Sequence, residues 1–232
     1  MARTEGPGRP PGGRIEREVE VPIDGVRLAG TLTLPEDALG VVLFAHGAGS
    51  SRFSPRNRFV ASELVGAGVG TLLFDLLTEA ESDDREKVFD IPLLAGRLIG
   101  ATEWVRADPE SAALPIGYFG ASTGAAAALV AAAEQPTGVE AIVSRGGRPD
   151  LAGDALGQVC APTLLIVGGL DDVVIGLNRE AYDALRAEKE LVVVPGASHL
   201  FEEPGTLEEV ARLAAGWFRR HLGRGMAERR AA

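Results

Sequence analysis

Residues 116–133 leave this chain few ways to fold. Ile116-Gly117-Tyr118-Phe119 is a short apolar run that reads as a buried strand. Residues 125–133 are alanine-rich and read as a helix, because alanine has the best helix propensity. Between them stands Gly120-Ala121-Ser122-Thr123-Gly124, a G-x-S-x-G turn. A strand that passes this abruptly into a helix strains the central residue and leaves no room for side chains two positions to either side, where the glycines stand. The Ser122 hydroxyl is then exposed above the sheet at a helix N-terminus, where developing negative charge is favoured. Ser122 is therefore the candidate nucleophile. The stretch 112–133 carries no charge, yet Pro115, Gly117, Gly120 and Gly124 interrupt it, so it predicts strand plus helix and not a membrane span.

The surrounding chain repeats the strand-then-helix theme. Residues 15–23 and 26–34 alternate in polarity and meet at Asp24-Gly25, a hairpin signal. Continuous apolar runs follow at 41–44, 71–74, 141–143, 163–167 and 191–194, with helical segments predicted at 56–67, 91–107, 179–187 and 207–222. Strands that are apolar throughout belong to a parallel sheet covered on both faces. The expected fold class is α/β: a mostly parallel central sheet, helices on both faces and an N-terminal antiparallel hairpin at the edge. Residues 15–222 form one domain, a span that suits a single core. Residues 1–14, rich in Pro, Gly and Arg, and the basic residues 223–232 are expected to be flexible tails. A net charge of -10 argues against a nucleic-acid surface, and the absence of an apolar leader predicts a cytoplasmic protein that does not engage a membrane. Cys160 is the single cysteine, which excludes a disulfide framework or a cysteine-rich metal site; it reads as a small buried residue. Oligomeric state, monomer or homodimer, is left open.

In such sheets reactive groups sit on loops at the carboxyl ends of strands. After 41–44 comes His46-Gly47-Ala48-Gly49-Ser50-Ser51, a loop of small residues whose backbone N–H groups can approach a ligand. The N–H of Ala48 and that of Thr123, the residue after the nucleophile, are the candidate oxyanion donors. After 163–167 comes Gly168-Gly169-Leu170-Asp171-Asp172; Asp171 is the candidate acid, with Asp172 an alternative one residue on. After 191–194 comes His199, the one histidine of three that follows both a strand end and the acid. His46 lies inside the small-residue loop, and His221, at the end of the last helix, is expected to face solvent. His46, Arg52 and Arg145 are candidate substrate-binding residues, the arginines through paired hydrogen bonds to a substrate carboxylate. The structural alternative for the arginines is surface charge or an ion pair with a residue such as Asp75. Residues 145–162 are too few for a substantial cap, and the charged stretch 78–88 reads as a mobile polar loop, either a cover for the site or solvated surface unrelated to it.

The order Ser122, Asp171, His199 is the chain order of the α/β-hydrolase triad. With the small-residue loop 46–51, Asp75-Leu76-Leu77-Thr78, the G-x-S-x-G turn, residues 168–174 and residues 195–201, the chain resembles an α/β-hydrolase of the dienelactone-hydrolase-like family from about residue 19 to about residue 222. The resemblance implies Ser122 as nucleophile, His199 as base and Asp171 as acid, with no metal and no organic cofactor. Dienelactone hydrolases proper carry a cysteine nucleophile, and the serine here favours a general carboxylesterase acting on a small-molecule ester of small or medium acyl chain. The same triad runs acyl transfer, peptide hydrolysis or perhydrolysis, and the scaffold also serves non-catalytic ligand binding. The base works only when neutral, so activity is expected to rise with pH.

Overall fold

The computed structural model describes residues 13–231, and side chains to residue 223. The expected flexible tail at residues 1–14 lies outside the described residues except for Gly13 and Arg14. One eight-stranded sheet runs through the chain in the order β1-β2-β4-β3-β5-β6-β7-β8. Strands β1 (Ile15–Ile23) and β2 (Val26–Leu34) form the predicted hairpin, with Asp24 at φ 48° and Gly25 at φ 81° in its turn. Positive φ at both central residues matches the twist of the flanking strands, which is why Asp-Gly is found there. β2 is also antiparallel to β4 (Gly70–Phe74). The remaining neighbours, among β3 (Val41–Ala45), β4, β5 (Ile116–Ala121), β6 (Ala141–Arg145), β7 (Thr163–Gly168) and β8 (Lys189–Val194), are all parallel.

Strand alternation sends side chains into two core layers. Val41, Leu43, Tyr118 and Ile142 point to one face, under α4 (Ile91–Ala107) and α5 (Thr123–Glu134). Val42, Phe44, Phe119 and Val143 point to the other, under α1 (Pro55–Gly66) and α7 (Thr206–Ala231). α6 (Asp172–Ala184) completes the cover beside β7 and β8. Burial on both faces explains why these strands read as unbroken apolar runs and not as alternating ones. The 3-10 segment Pro149–Gln158 fills residues 145–162 and buries Ala152 and Leu156 against the α5 side of the sheet, so no cap domain rises there.

Four expectations are corrected. α6 begins at Asp172, seven residues before the predicted 179, because the β-branched run Val173-Val174 masks its first turn. It ends at Ala184, where Lys189 Nζ donates to the carbonyls of Tyr182 and Leu185. The stretch 78–88 is not a plain loop but two short helices, α2 (Glu79–Ser82) and α3 (Arg85–Val88). A capping box between Thr78 and Glu81 starts α2, and the buried Arg97 pairs with Glu81 at 3.1 Å. Residues 223–231 continue α7. His221 is buried, one turn beyond Trp217, with the two rings tilted by 51° and their centroids 4.5 Å apart. Cys160 is exposed, ahead of the strand and not in it.

Candidate active site

β3 leads through α1 to β4 on one side, while the chain beyond β5 builds outward on the other. Such a reversal opens a crevice between the two strand ends. Gly47, past β3, and Ser122, past β5, meet across it: a Cβ on Gly47 would lie 2.9 Å from Ser122 Cβ. Ser122 has φ 51° and ψ -123°, a conformation that costs a non-glycine residue about 1–3 kcal/mol. Its N–H donates to the Arg145 carbonyl at 3.3 Å, and its carbonyl accepts from Ala125 and Arg148 at 3.1 and 3.0 Å. The backbone is thus pinned, and the hydroxyl makes no cap bond to α5.

Asp171 precedes α6 and likewise makes no side-chain cap; its Oδ2 lies 2.7 Å from His199 Nδ1. The two loops that carry this pair are joined backbone to backbone. Gly169 N–H donates to the Val194 carbonyl at 2.8 Å and Leu170 N–H to the Ala197 carbonyl at 2.9 Å. A Cβ on Gly168 would stand 2.4 Å from the Ser198 carbonyl oxygen, so glycine is what allows the approach. Glu203 accepts the Ser198 N–H at 2.9 Å, and Phe201, at φ 56°, buries its ring in the α1–α7 layer. These two anchors of the histidine loop had no signal in the sequence. Asp172, the alternative acid, is the first residue of α6 and makes no hydrogen bond or ion pair with His199 among the described residues. His199 borders Gly146, whose added Cβ would lie 3.6 Å from His199 Cε1, and Ser122 bonds through its backbone to Arg145 and Arg148 on either side of Gly146-Gly147. No hydrogen bond joins Ser122 Oγ to His199 among the described residues. Such bonds are often long before substrate binds.

The other predicted residues divide. Ala48 N–H is engaged: it donates to Thr123 Oγ1 at 2.9 Å, a role for the threonine hydroxyl that sequence reasoning missed. Thr123 is buried at the first turn of α5. His46 borders the cleft with both ring nitrogens already engaged. Its Nε2 accepts the Leu76 N–H at 3.1 Å and its Nδ1 lies 3.1 Å from the Gly47 carbonyl, which places the proton on Nδ1 and uses both nitrogens to tie the β3 and β4 loops. Arg52 is committed too, with its N–H and Nε on Asp75 and its Nη1 on Glu18. Arg145 is buried at the end of β6, and Nη2 reaches Asn57 Oδ1 at 3.4 Å. A cleft of about 770 Å³ runs from the 46–51 loop to α2 and α3, with Phe53, Leu77, Val88 and Leu94 as apolar lining and Arg56 and Asp75 as polar lining. It meets Ser122 through Gly47. The charged stretch 78–88 thus walls the cleft.

Burial holds the His46 ring below the ordinary histidine range, against the Gly47 carbonyl and Asp75, which both favour the cation. In the unfolded chain the ring protonates near pH 6.5. The stability His46 contributes is therefore complete above about pH 6.5 and is lost as pH falls toward the lower folded value, by up to about 1.4 kcal/mol per pH unit. Urea unfolding at pH 7.5 and 5.5 should show this loss in the parent protein. In His46→Asn the pH-dependent part should shrink, whatever the variant's absolute stability.

No family model matches the chain. Over 207 residues it is 62% identical to a Mycobacterium tuberculosis protein that bears the name "Putative phosphoribosyl transferase", covering 89% of this chain and 47% of that protein. The chain thus spans about half the length of that relative. A second M. tuberculosis protein, named only as uncharacterized, is 31% identical over 202 residues, covering 76% of this chain and 69% of the other. Among solved structures, a dienelactone hydrolase from Anabaena variabilis superposes with a TM-score of 0.87 at 57% identity, covering 90% of this chain and 98% of that one. The Butyrivibrio proteoclasticus protein Est1E, solved with ferulic acid, superposes with a TM-score of 0.76 at 16% identity, over 88% of this chain and 99% of its own. At that identity the likeness is one of fold.

Proposed function

The chain belongs to the dienelactone-hydrolase-like family of α/β-hydrolases, and from that premise we propose that it is a serine carboxylesterase working through an acyl-enzyme. The observation that carries the reading is the strained Ser122 turn, held with its hydroxyl unspent at the switch point of the sheet. Strain of this kind persists where the surrounding structure over-determines it and function uses it.

In the proposed reaction His199 accepts the Ser122 proton as the hydroxyl attacks an ester carbonyl. Asp171 holds the imidazole by its Nδ1–H and stabilises the cation that forms. The alcohol leaves with the proton from His199, and water then cleaves the acyl-enzyme by the same route. The developing oxyanion is received by the N–H groups of Thr123 and Ala48. Ala48 N–H donates to Thr123 Oγ1 at rest, so the oxyanion either shares that donor or displaces the hydroxyl, which rotation about the Thr123 Cα–Cβ bond permits. A donor of this kind is worth about 10²–10³ in rate. The cleft beside Gly47, apolar at Phe53, Leu77 and Val88, suits an acyl group of small or medium size.

The name of the M. tuberculosis relative describes a protein about half of which lies beyond the match. The features here, a serine on a sharp turn and a paired His–Asp, serve acyl transfer to water, and we assign the transferase name no chemistry in this chain. The test is mass spectrometry of the protein treated with a fluorophosphonate, together with turnover of p-nitrophenyl esters from acetate to dodecanoate. The expected result is a single adduct on Ser122 and hydrolysis with an optimum at short or medium chain. An unlabelled Ser122 with no turnover across the series would sink the esterase reading.

A further inference from the structure

The strand beside the nucleophile ends in a cation for which the described residues supply no anion. Arg145 closes β6 in register with Ala121, and its carbonyl receives the Ser122 N–H. Its side chain is only 8% exposed and turns toward the first turn of α1, where Nη2 donates to Asn57. Nε and Nη1 are buried and have no hydrogen-bond partner among the described residues, and no carboxylate there pairs with the group. The charge that bears on it is of its own sign. Arg56, next to Asn57, spends Nη1 on the exposed Glu202, while its own Nε is buried and unpaired. Burial and Arg56 push the Arg145 guanidinium down to about 10, so it remains a cation at neutral pH.

Arg97 shows what a purely structural buried arginine looks like in this fold. It is 4% exposed, and its charge is matched by Glu81 while Nη1 donates to the Ile23 carbonyl. An unmatched buried guanidinium is strongly unfavourable, and a fold keeps one at a cost unless something neutralises it. The surroundings point to where that something comes from. Arg56 lines the cleft, as do Ser54 and Pro55 at the start of α1, where Ser54 caps the Asn57 N–H and the helix dipole favours an anion. Gly146, the residue after Arg145, adjoins His199.

We propose that Arg145, Arg56 and Asn57 form an anion subsite beside Ser122 that receives a carboxylate or phosphate group carried by the substrate. A guanidinium whose Nε and Nη1 are unpaired fits the planar or tetrahedral oxygens of either group. The substrate class is then an anionic ester, its charged group seated under α1 and its scissile carbonyl at Ser122. The substrate assignment rests on the esterase reading; the anion subsite does not.

Binding is therefore measured first, without turnover. Succinate and inorganic phosphate are titrated into the parent protein, Arg145→Met and Arg56→Ala, followed by calorimetry at constant ionic strength. The parent is expected to bind at least one of the two, and which one binds identifies the charged group. Affinity should fall about 10- to 100-fold in Arg145→Met, the loss typical of charge-assisted hydrogen bonds, and by less in Arg56→Ala. Should Arg145→Met fail to fold, the parent and Arg56→Ala still decide the matter, since that arginine is partly exposed. Absence of binding to the parent, or equal binding by parent and variants, overturns the subsite. Turnover is measured second, comparing p-nitrophenyl butyrate with the p-nitrophenyl monoester of succinate. Preference for the charged ester, lost in Arg56→Ala, supports its role in selectivity. Binding without any turnover would leave the subsite standing and remove the esterase reading.

Discussion

Ser122→Ala is expected to lower kcat for p-nitrophenyl butyrate by about 10³–10⁶ while leaving stability within about 1 kcal/mol of the parent. The two halves of this expectation have separate causes. The hydroxyl makes no hydrogen bond to the α5 N-terminus, so its removal leaves no helix end uncapped and no buried partner orphaned. Alanine also meets the same strain as serine at φ 51°, because that strain arises at Cβ. Ser122→Gly should separate the effects further. It removes both nucleophile and strain, and should raise stability by about 1 kcal/mol or more while abolishing turnover. Steady-state kinetics and urea unfolding of the three proteins decide it. An alanine variant that keeps its activity would show that another group attacks, and a glycine variant no more stable than the parent would show that the turn is not under strain.

What the sequence revealed follows from where the information lies. Asp24-Gly25 announced its turn because few residue pairs tolerate two positive φ values in succession, and the parallel strands announced themselves because burial on both faces removes every polar residue. α2 and α3 were missed because four residues cannot display a helical period, although Thr78-x-x-Glu81 held the capping signal. The start of α6 was hidden by Val173 and Val174, of which Val174 and the following Ile175 pack beside β7 while Val173 is exposed. In the site, Asp171 and His199 could be nominated because both follow strands that end on the same edge of the sheet, and the structure brings them to 2.7 Å. The bond between Ala48 N–H and Thr123 Oγ1 could not be read, since it joins residues 75 apart whose meeting depends on the crossing of β3 and β5. The same holds for the candidate ligand contacts. His46 and Arg52 sit on loops at strand ends as a binding residue would, yet Leu76 and Gly47 engage both ring nitrogens of His46, and Asp75 and Glu18 hold Nε and Nη1 of Arg52. Arg145, indistinguishable from Arg52 by position in the chain, keeps two buried nitrogens, Nε and Nη1, without a partner among the described residues.

Gly124→Ala should be the most damaging single-methyl change in the molecule. A Cβ there would stand 2.1 Å from the Ala45 carbonyl oxygen and 2.6 Å from the His46 carbonyl oxygen. Both are backbone atoms at the end of β3, which is held in register with β5 from Val41↔Ile116 to Ala45↔Gly120. No rotamer relieves such a clash, so either α5 lifts from the sheet or β3 slides, and the expected loss is about 3–5 kcal/mol. Gly120→Ala meets a second wall, with Cβ 2.4 Å from Ala125 Cα, and should behave alike. Gly96→Ala and Gly176→Ala are the controls. They lie inside α4 and α6 with no atom within 4 Å of the added methyl, and should stabilise by about 0.5–1 kcal/mol through helix propensity alone. Urea unfolding ranks the four variants. If Gly124→Ala unfolds with the controls, the close passage of α5 over β3 is wrong. If it unfolds early as expected, the glycines of the G-x-S-x-G turn are there for the contact between helix and strand. Any movement of α5 then carries Ser122 and the Thr123 hydroxyl away from Gly47 and Ala48 together, so activity should fall further than stability alone would dictate.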